Sequence, residues 1–152
     1  MGTKDKVKQE LEQIQKEHGG VLHPQHVVDF ARNKNSALHS RFEWDDGKAA
    51  KAYRIVQARQ LIRVYVQVAA DNVTEVRAFV SLPSDREAGG GYRSTDSVMT
   101  DEQRRAELLQ MALKELAIFR RKYATLEQLA QVFAAAEAVE GKAARTRGRK
   151  AS

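Results

Sequence analysis

The 152-residue chain reads as an α+β fold, mostly helical, and three observations carry that reading. Five segments repeat their apolar residues at the 3.6-residue period of an amphipathic helix. One stretch, Arg63 to Leu82, switches to the two-residue alternation of strands. The turn signals fall between these segments rather than within them: Gly19-Gly20, Asn33 to Ser36, the "AADN" of residues 69–72 and the glycines at 89–91.

The first helix spans about Asp5 to Glu17, where Val7, Leu11 and Ile14 make a narrow apolar stripe. Pro24 opens the second, because a first-turn position has no use for the missing N–H, and Val27, Val28, Phe30 and Ala31 supply its buried side. The linker from Asn33 to Trp44 holds Leu38, Phe42 and Trp44, which must bury something, so it is expected as an ordered cover or a half-turn of helix. A third helix should follow Asp45 as N-cap, with Asp46 complementing the macrodipole, and run to about Ile62. Strands near Arg63–Val68 and Thr74–Leu82 then pair as a hairpin. Two capping boxes, Thr100 with Gln103 and Thr125 with Gln128, start the last two helices. Leu109, Ala112, Leu113, Leu116 and Phe119 face inward on one, and Leu126, Leu129, Ala130 and Phe133 on the other. Leu108, Met111 and Ile118 lie off the first stripe, which predicts a homodimer.

Domain organisation follows. Residues 1–140 should form one compact domain: a part at 1–82, a Gly-rich loop at 83–99 and a helical pair at 100–140. Residues 141–152 form a basic disordered tail. The net charge is +6, and five of those charges, Lys142, Arg145, Arg147, Arg149 and Lys150, sit in that tail with no acid among them. The rest of the chain is nearly neutral. Such a tail binds nucleic acid or solubilises a terminus.

Helix, short extended piece, helix, linker, helix, hairpin is the order of a winged helix-turn-helix, here followed by two C-terminal helices. The dozen-residue linker departs from the usual turn of about three or four. On a wheel at about 100° per residue, Lys48, Lys51, Arg54, Arg59 and Arg63 share one half of the third helix. Ala49, Ala50, Tyr53, Val56 and Leu61 share the other, and Ile55 and Ile62 fall among the basic residues. The basic half is either a groove-facing surface or a solvated face whose stems cover apolar neighbours. Arg77 in the hairpin, with Arg41, Arg86 and Arg93, could meet phosphates, and "RTRGRK" in the tail could lie extended in a minor groove.

The motifs of catalysis are missing. Glu43, Asp45, Asp46 and His39 contain enough oxygen and nitrogen for a divalent metal, but adjacent acids at a helix start have a capping task. His18, His23, His26 and His39 lack HExxH spacing, the "GGGYRS" loop lacks the P-loop lysine, and there is no GxSxG. No cysteine offers a nucleophile or thiolate ligand. The expectation is no enzyme, no metal, no cofactor and no membrane: the N-terminus "MGTKDKVKQE" lacks the apolar core of a signal peptide, which places the chain in the cytoplasm.

"LHSRFEWDDGKAAKAYRIVQARQLIR", Leu38 to Arg63, with "RAFVSLPSDREAGGGYRS" and "FRRKYATLEQLAQVFAA", resembles small proteins encoded by bacteriophages and prophages that carry an LHxxFEWDD…QARxLIR signature. The resemblance implies a mobile-element protein in a bacterial host and transfers no catalytic residues. The leading expectation is a non-catalytic DNA-binding protein that regulates or organises phage DNA, double-stranded or single-stranded. Its contacts would be Lys48, Lys51, Arg54, Arg59, Arg77, Lys142, Arg145, Arg147, Arg149 and Lys150. A protein–protein adaptor for virion assembly or host-enzyme inhibition is the second reading, and a metal-dependent nuclease the third.

Overall fold

The computed structural model describes residues 2–45, 47–69 and 71–150, with side chains except at 48, 49 and 150. It is α+β and mostly helical, and it falls into two compact units, Met1–Arg104 and Arg105–Ser152. The single domain expected over residues 1–140 is thus two units.

In the first unit, α1 (Thr3–Glu17), α2 (Pro24–Ala31) and α3 (Lys48–Val64) surround a core built from the expected stripes. Val7, Leu11 and Ile14 of α1 are fully buried, as are Val27, Val28 and Ala31 of α2, with Ala58 and Ile62 of α3 opposite them. Pro24 is at the start of α2. Each fully buried aliphatic side chain contributes about 1.5–3 kcal/mol relative to exposure.

The linker between α2 and α3 is ordered, with a turn of 3₁₀ helix at His39–Arg41 and Leu38 fully buried. Its anchor is Glu10 of α1. That carboxylate accepts hydrogen bonds from the Ser36 hydroxyl (2.7 Å), the Ala37 amide (3.0 Å) and the Leu38 amide (3.1 Å). A dozen residues can therefore stand where three or four would suffice, because their backbone donors are satisfied from another helix.

Strands β1 (Val66–Val68) and β2 (Glu75–Arg77) pair antiparallel, Val66 opposite Arg77 and Val68 opposite Glu75. Asn72 turns the chain at φ 56°, and the Asp71 carboxylate takes the Val73 and Thr74 amides and the Thr74 hydroxyl. Those bonds hold the Asp71 carboxyl down at about 2. The second strand breaks at Ala78 and resumes as β3 (Phe79–Val80).

Residues 83–99 are not the loop expected from their glycines. They form α4 (Pro83–Glu87), β4 (Arg93–Ser94) and α5 (Thr95–Thr100), with β4 antiparallel to β3 and Tyr92 bridged to Leu22. Buried Asp85 explains the order: its carboxylate receives the Arg93 guanidinium at 2.7 Å, and its carbonyl accepts the Gly90 amide. Gly91 is required at φ +120°, since a Cβ there would lie 2.5 Å from Val21 Cγ1.

The second unit is a pair of helices, α6 (Glu102–Tyr123, entering from the first unit) and α7 (Ala130–Lys150). Phe119 packs near Tyr123 and Phe133, and Arg120 pairs with Glu137. The start of α6 is capped by Asp101, which accepts the Arg104 amide, rather than by Thr100, whose hydroxyl donates back to the Ser97 carbonyl. Thr125 makes no capping box either: a 3₁₀ turn at Glu127–Leu129 without a side-chain cap precedes α7. The expected disordered tail is helical through residue 150. Ala143, Ala144 and the lysine and arginine side chains all favour helix, and Gly141 and Gly148 oppose it most, at about 1 kcal/mol each. No helix among the described residues is long and apolar enough to cross a membrane.

Candidate nucleic-acid interface

The third helix decides where a basic surface can lie. Its buried stripe is Arg54, Ala58 and Ile62, spaced four apart, with Ile55 and Leu61 half-buried beside it. Its solvent face is Tyr53, Val56, Arg59, Gln60, Arg63 and Val64. The helix is rotated from the expected wheel: Ile55 and Ile62, the two apolar residues among the basic ones, mark the core side.

Arg54 is the principal correction. It is 1% exposed, so it cannot meet a phosphate. Its Nη1 donates to the Glu43 carbonyl at 2.8 Å, and its guanidinium carbon lies 5.2 Å from the centre of the Trp44 ring. Trp44 in turn stacks on His39 (5.0 Å, 9° between planes) and donates from its indole N–H to the His39 carbonyl. His39 donates from Nδ1 to the Ala31 carbonyl. The aromatic-acidic knot "RFEWD", residues 41–45, is thus a packed junction. A buried guanidinium here substitutes for an apolar side chain because a carbonyl and the flat Trp44 ring receive it.

The acids of the knot have backbone tasks. Glu43 accepts the Trp44 and Asp45 amides on Oε1. Asp45 is not the N-cap of α3; Gly47 is, and the Asp45 carbonyl accepts the Gly47 amide. Asp46 lies outside the described residues. Among the described residues no group of three His, Asp or Glu side chains is arranged to hold a metal ion.

Of the remaining candidates, Lys51 and Arg59 are exposed on α3 and Arg77 is exposed on β2. The side chain of Lys48 lies outside the described residues. Among the described residues Arg59 and Arg63 have no ion pair, so their charge is fully available to a ligand. At the C-terminal end of α3, Lys4, Lys8 and Arg41 rim a groove of about 400 Å³ floored by Leu61, Val64 and Tyr65. Burial raises the Tyr65 hydroxyl's pKa while Arg41 lowers it.

On α7, Lys142, Arg145, Arg147 and Arg149 are exposed, and the Lys150 side chain lies outside the described residues. An extended minor-groove arm is replaced by a helical display: Lys142, Arg145 and Arg149 fall on one face at i, i+3 and i+7, and Arg147 points away from it. Arg145 Nε donates to the Gly141 carbonyl one turn earlier.

The fold also gathers three histidines that the sequence scatters. His18, at the end of α1, stacks on His26 of α2 with ring centres 3.7 Å apart, and His23 meets His26 edge-on at 5.2 Å. His18 donates from Nδ1 to the Ile14 carbonyl. The buried His26 Nδ1 has no hydrogen-bond partner among the described residues. Burial lowers the His26 pKa, as do His18 and His23, while Asp29 opposes them.

No model of a known protein family matches the chain, and neither a curated protein nor a solved structure matches it.

Proposed function

We propose that the chain is a non-catalytic nucleic-acid-binding protein that presents the solvent face of α3 to a DNA duplex as a homodimer. The observation that carries this reading is the cluster of Arg59, Gln60 and Arg63 on that face, all exposed, with both arginines free of ion pairs among the described residues. Arginine and glutamine are the side chains that read base edges bidentately, and arginine also neutralises phosphate. In a winged-helix reading α3 takes the recognition position and β1–β2 the wing, where Arg77 meets the backbone. The cations of α7 add affinity without reading sequence. The setting this fits is phage or prophage DNA in a bacterial cytoplasm, as the sequence resemblance implies.

The test is an anisotropy titration of a labelled duplex at several salt concentrations. Each lost phosphate contact lowers the slope of log K against log salt by about 0.9, so Arg59→Ala with Arg63→Ala should flatten it by about 2. Removing residues 141–152 should flatten it further. No retention of duplex at low salt by the intact chain, or unchanged slopes in the variants, would end this reading.

A further inference from the structure

The hairpin leaves β1 with a bare edge. β1 pairs with β2 alone, and in that ladder the Ala78 amide donates to the Tyr65 carbonyl and the Ala69 amide to the Thr74 carbonyl, both at 2.8 Å. Residues 65, 67 and 69 therefore turn their backbone groups toward β2, and Val66 and Val68 turn theirs the opposite way, because the residues of an antiparallel strand alternate. Among the described residues nothing hydrogen-bonds to those outward N–H and C=O groups. The side chains of Val66 and Val68 are exposed as well, and so is that of Val64 just before them. Folded proteins usually blunt such an edge with a charge or a proline. "VYVQV", residues 64–68, has neither.

Val66 also lines the groove at the C-terminal end of α3, beside Leu61, Val64 and Tyr65. One residue is thus common to the free edge and the groove, and at about 3.3 Å per residue a few more residues of extended chain reach from one onto the other. The rim sets the charge of what fits. Lys4 and Arg41 have no ion pair among the described residues, and Lys8 faces only Glu12, 3.9 Å away across one turn of α1. Asp5, the acid among the lining residues, has its carboxylate on the Gly2 amide. A nucleic-acid backbone would find the cations but offers no donor to the outward carbonyls and nothing apolar for the valines. A second copy paired through β1 would bring "VYVQVAAD", whose one acid, Asp71, is held by its own turn. An acidic chain in extended conformation meets both features: its backbone continues the ladder, its carboxylates reach the rim and its apolar side chains cover the valines.

We propose that the free edge of β1 and the adjoining groove receive an acidic, extended segment of a protein partner, which adds to the hairpin as a third strand. This reading does not rest on nucleic-acid binding by α3. The probe is a fluorescein-labelled peptide of about eight residues, within ordinary strand length, in which valine alternates with glutamate. Titrated with the full chain and followed by anisotropy, it should bind with a Kd of about 100 µM or tighter. The same peptide with lysine in place of glutamate should bind at least about tenfold more weakly, and so should one with proline in place of valine, which keeps the charge and loses the backbone donors. Lys4→Glu with Arg41→Glu should weaken the acidic peptide about tenfold. Val68→Pro removes an outward N–H and none of the bonds to β2, so it should lose as much affinity while circular dichroism and melting stay those of wild type. Arg59→Ala with Arg63→Ala should bind the peptide as wild type does, which keeps a failure of the duplex reading separate from a failure here. No binding of the acidic peptide at about 1 mM chain, equal binding of the lysine peptide, or full binding by a folded Val68→Pro protein would overturn strand addition at this edge. Loss of duplex affinity in the Lys4→Glu, Arg41→Glu protein with peptide affinity unchanged would overturn it too, and would assign the groove to nucleic acid.

Discussion

Replacing Arg54 with alanine tests whether the basic residues of α3 divide as the fold divides them. The side chain is buried, donates a charge-assisted hydrogen bond to the Glu43 carbonyl and lies over Trp44. A hydrogen bond from a charged group contributes about 1.5–3 kcal/mol, and a desolvated cation–π contact about 1–2 kcal/mol. Truncation also leaves a space beneath Trp44 and the Glu43 carbonyl without this donor. These terms overlap, so the expected loss is about 3 kcal/mol. For a unit of about 100 residues, 1 kcal/mol moves Tm by roughly 4–8 °C, which puts the drop at roughly 15 °C. Arg59→Ala, one turn on and exposed, should stay within about 0.5 kcal/mol of wild type and lose duplex affinity instead. Thermal melts followed by circular dichroism, beside duplex titrations, separate the two. An Arg54→Ala protein that melts within a few degrees of wild type but binds DNA poorly would refute this division.

Other outcomes follow from single contacts. Glu10→Ala removes three hydrogen bonds to the linker, so it should cost about 2–3 kcal/mol and expose residues 33–44 to limited proteolysis. Gly91→Ala should lose about 1–3 kcal/mol from a disfavoured φ, and more from the close contact with Val21, in denaturant titration. His26 gains protons less readily when folded than its ordinary 6.5, so the unfolded chain binds more protons between that lowered value and 6.5. Stability should therefore fall as pH drops through 6.5 and recover above it, and His26→Phe should flatten that part of the profile.

What the sequence showed depended on whether a residue's role was local. The stripes Val7-Leu11-Ile14 and Val27-Val28-Ala31, the Pro24 start and the hairpin at "AADN" were legible because helix period, proline chemistry and turn chemistry act within a few residues. The order of residues 83–99 was not, because Asp85 and Arg93 make their pair only once the chain has folded, and triple glycine looks the same in a loop and in a required turn. Arg54 was misplaced for a related reason: charge argues for solvent until a carbonyl and Trp44 are found around it. The two isoleucines among the basic residues carried the correct rotation of α3. The stacking of His18 on His26 joins the ends of two helices, and no spacing rule reports it.

The most direct measurement of the central claim is amide chemical-shift mapping of the isotope-labelled chain as a short duplex is added. The solvent-facing side of α3, centred on Arg59, Gln60 and Arg63, should shift first and saturate with the duplex, while Ala58 and Ile62 on the core side move little. Shifts confined to α6 and α7, with α3 silent at saturation, would contradict it.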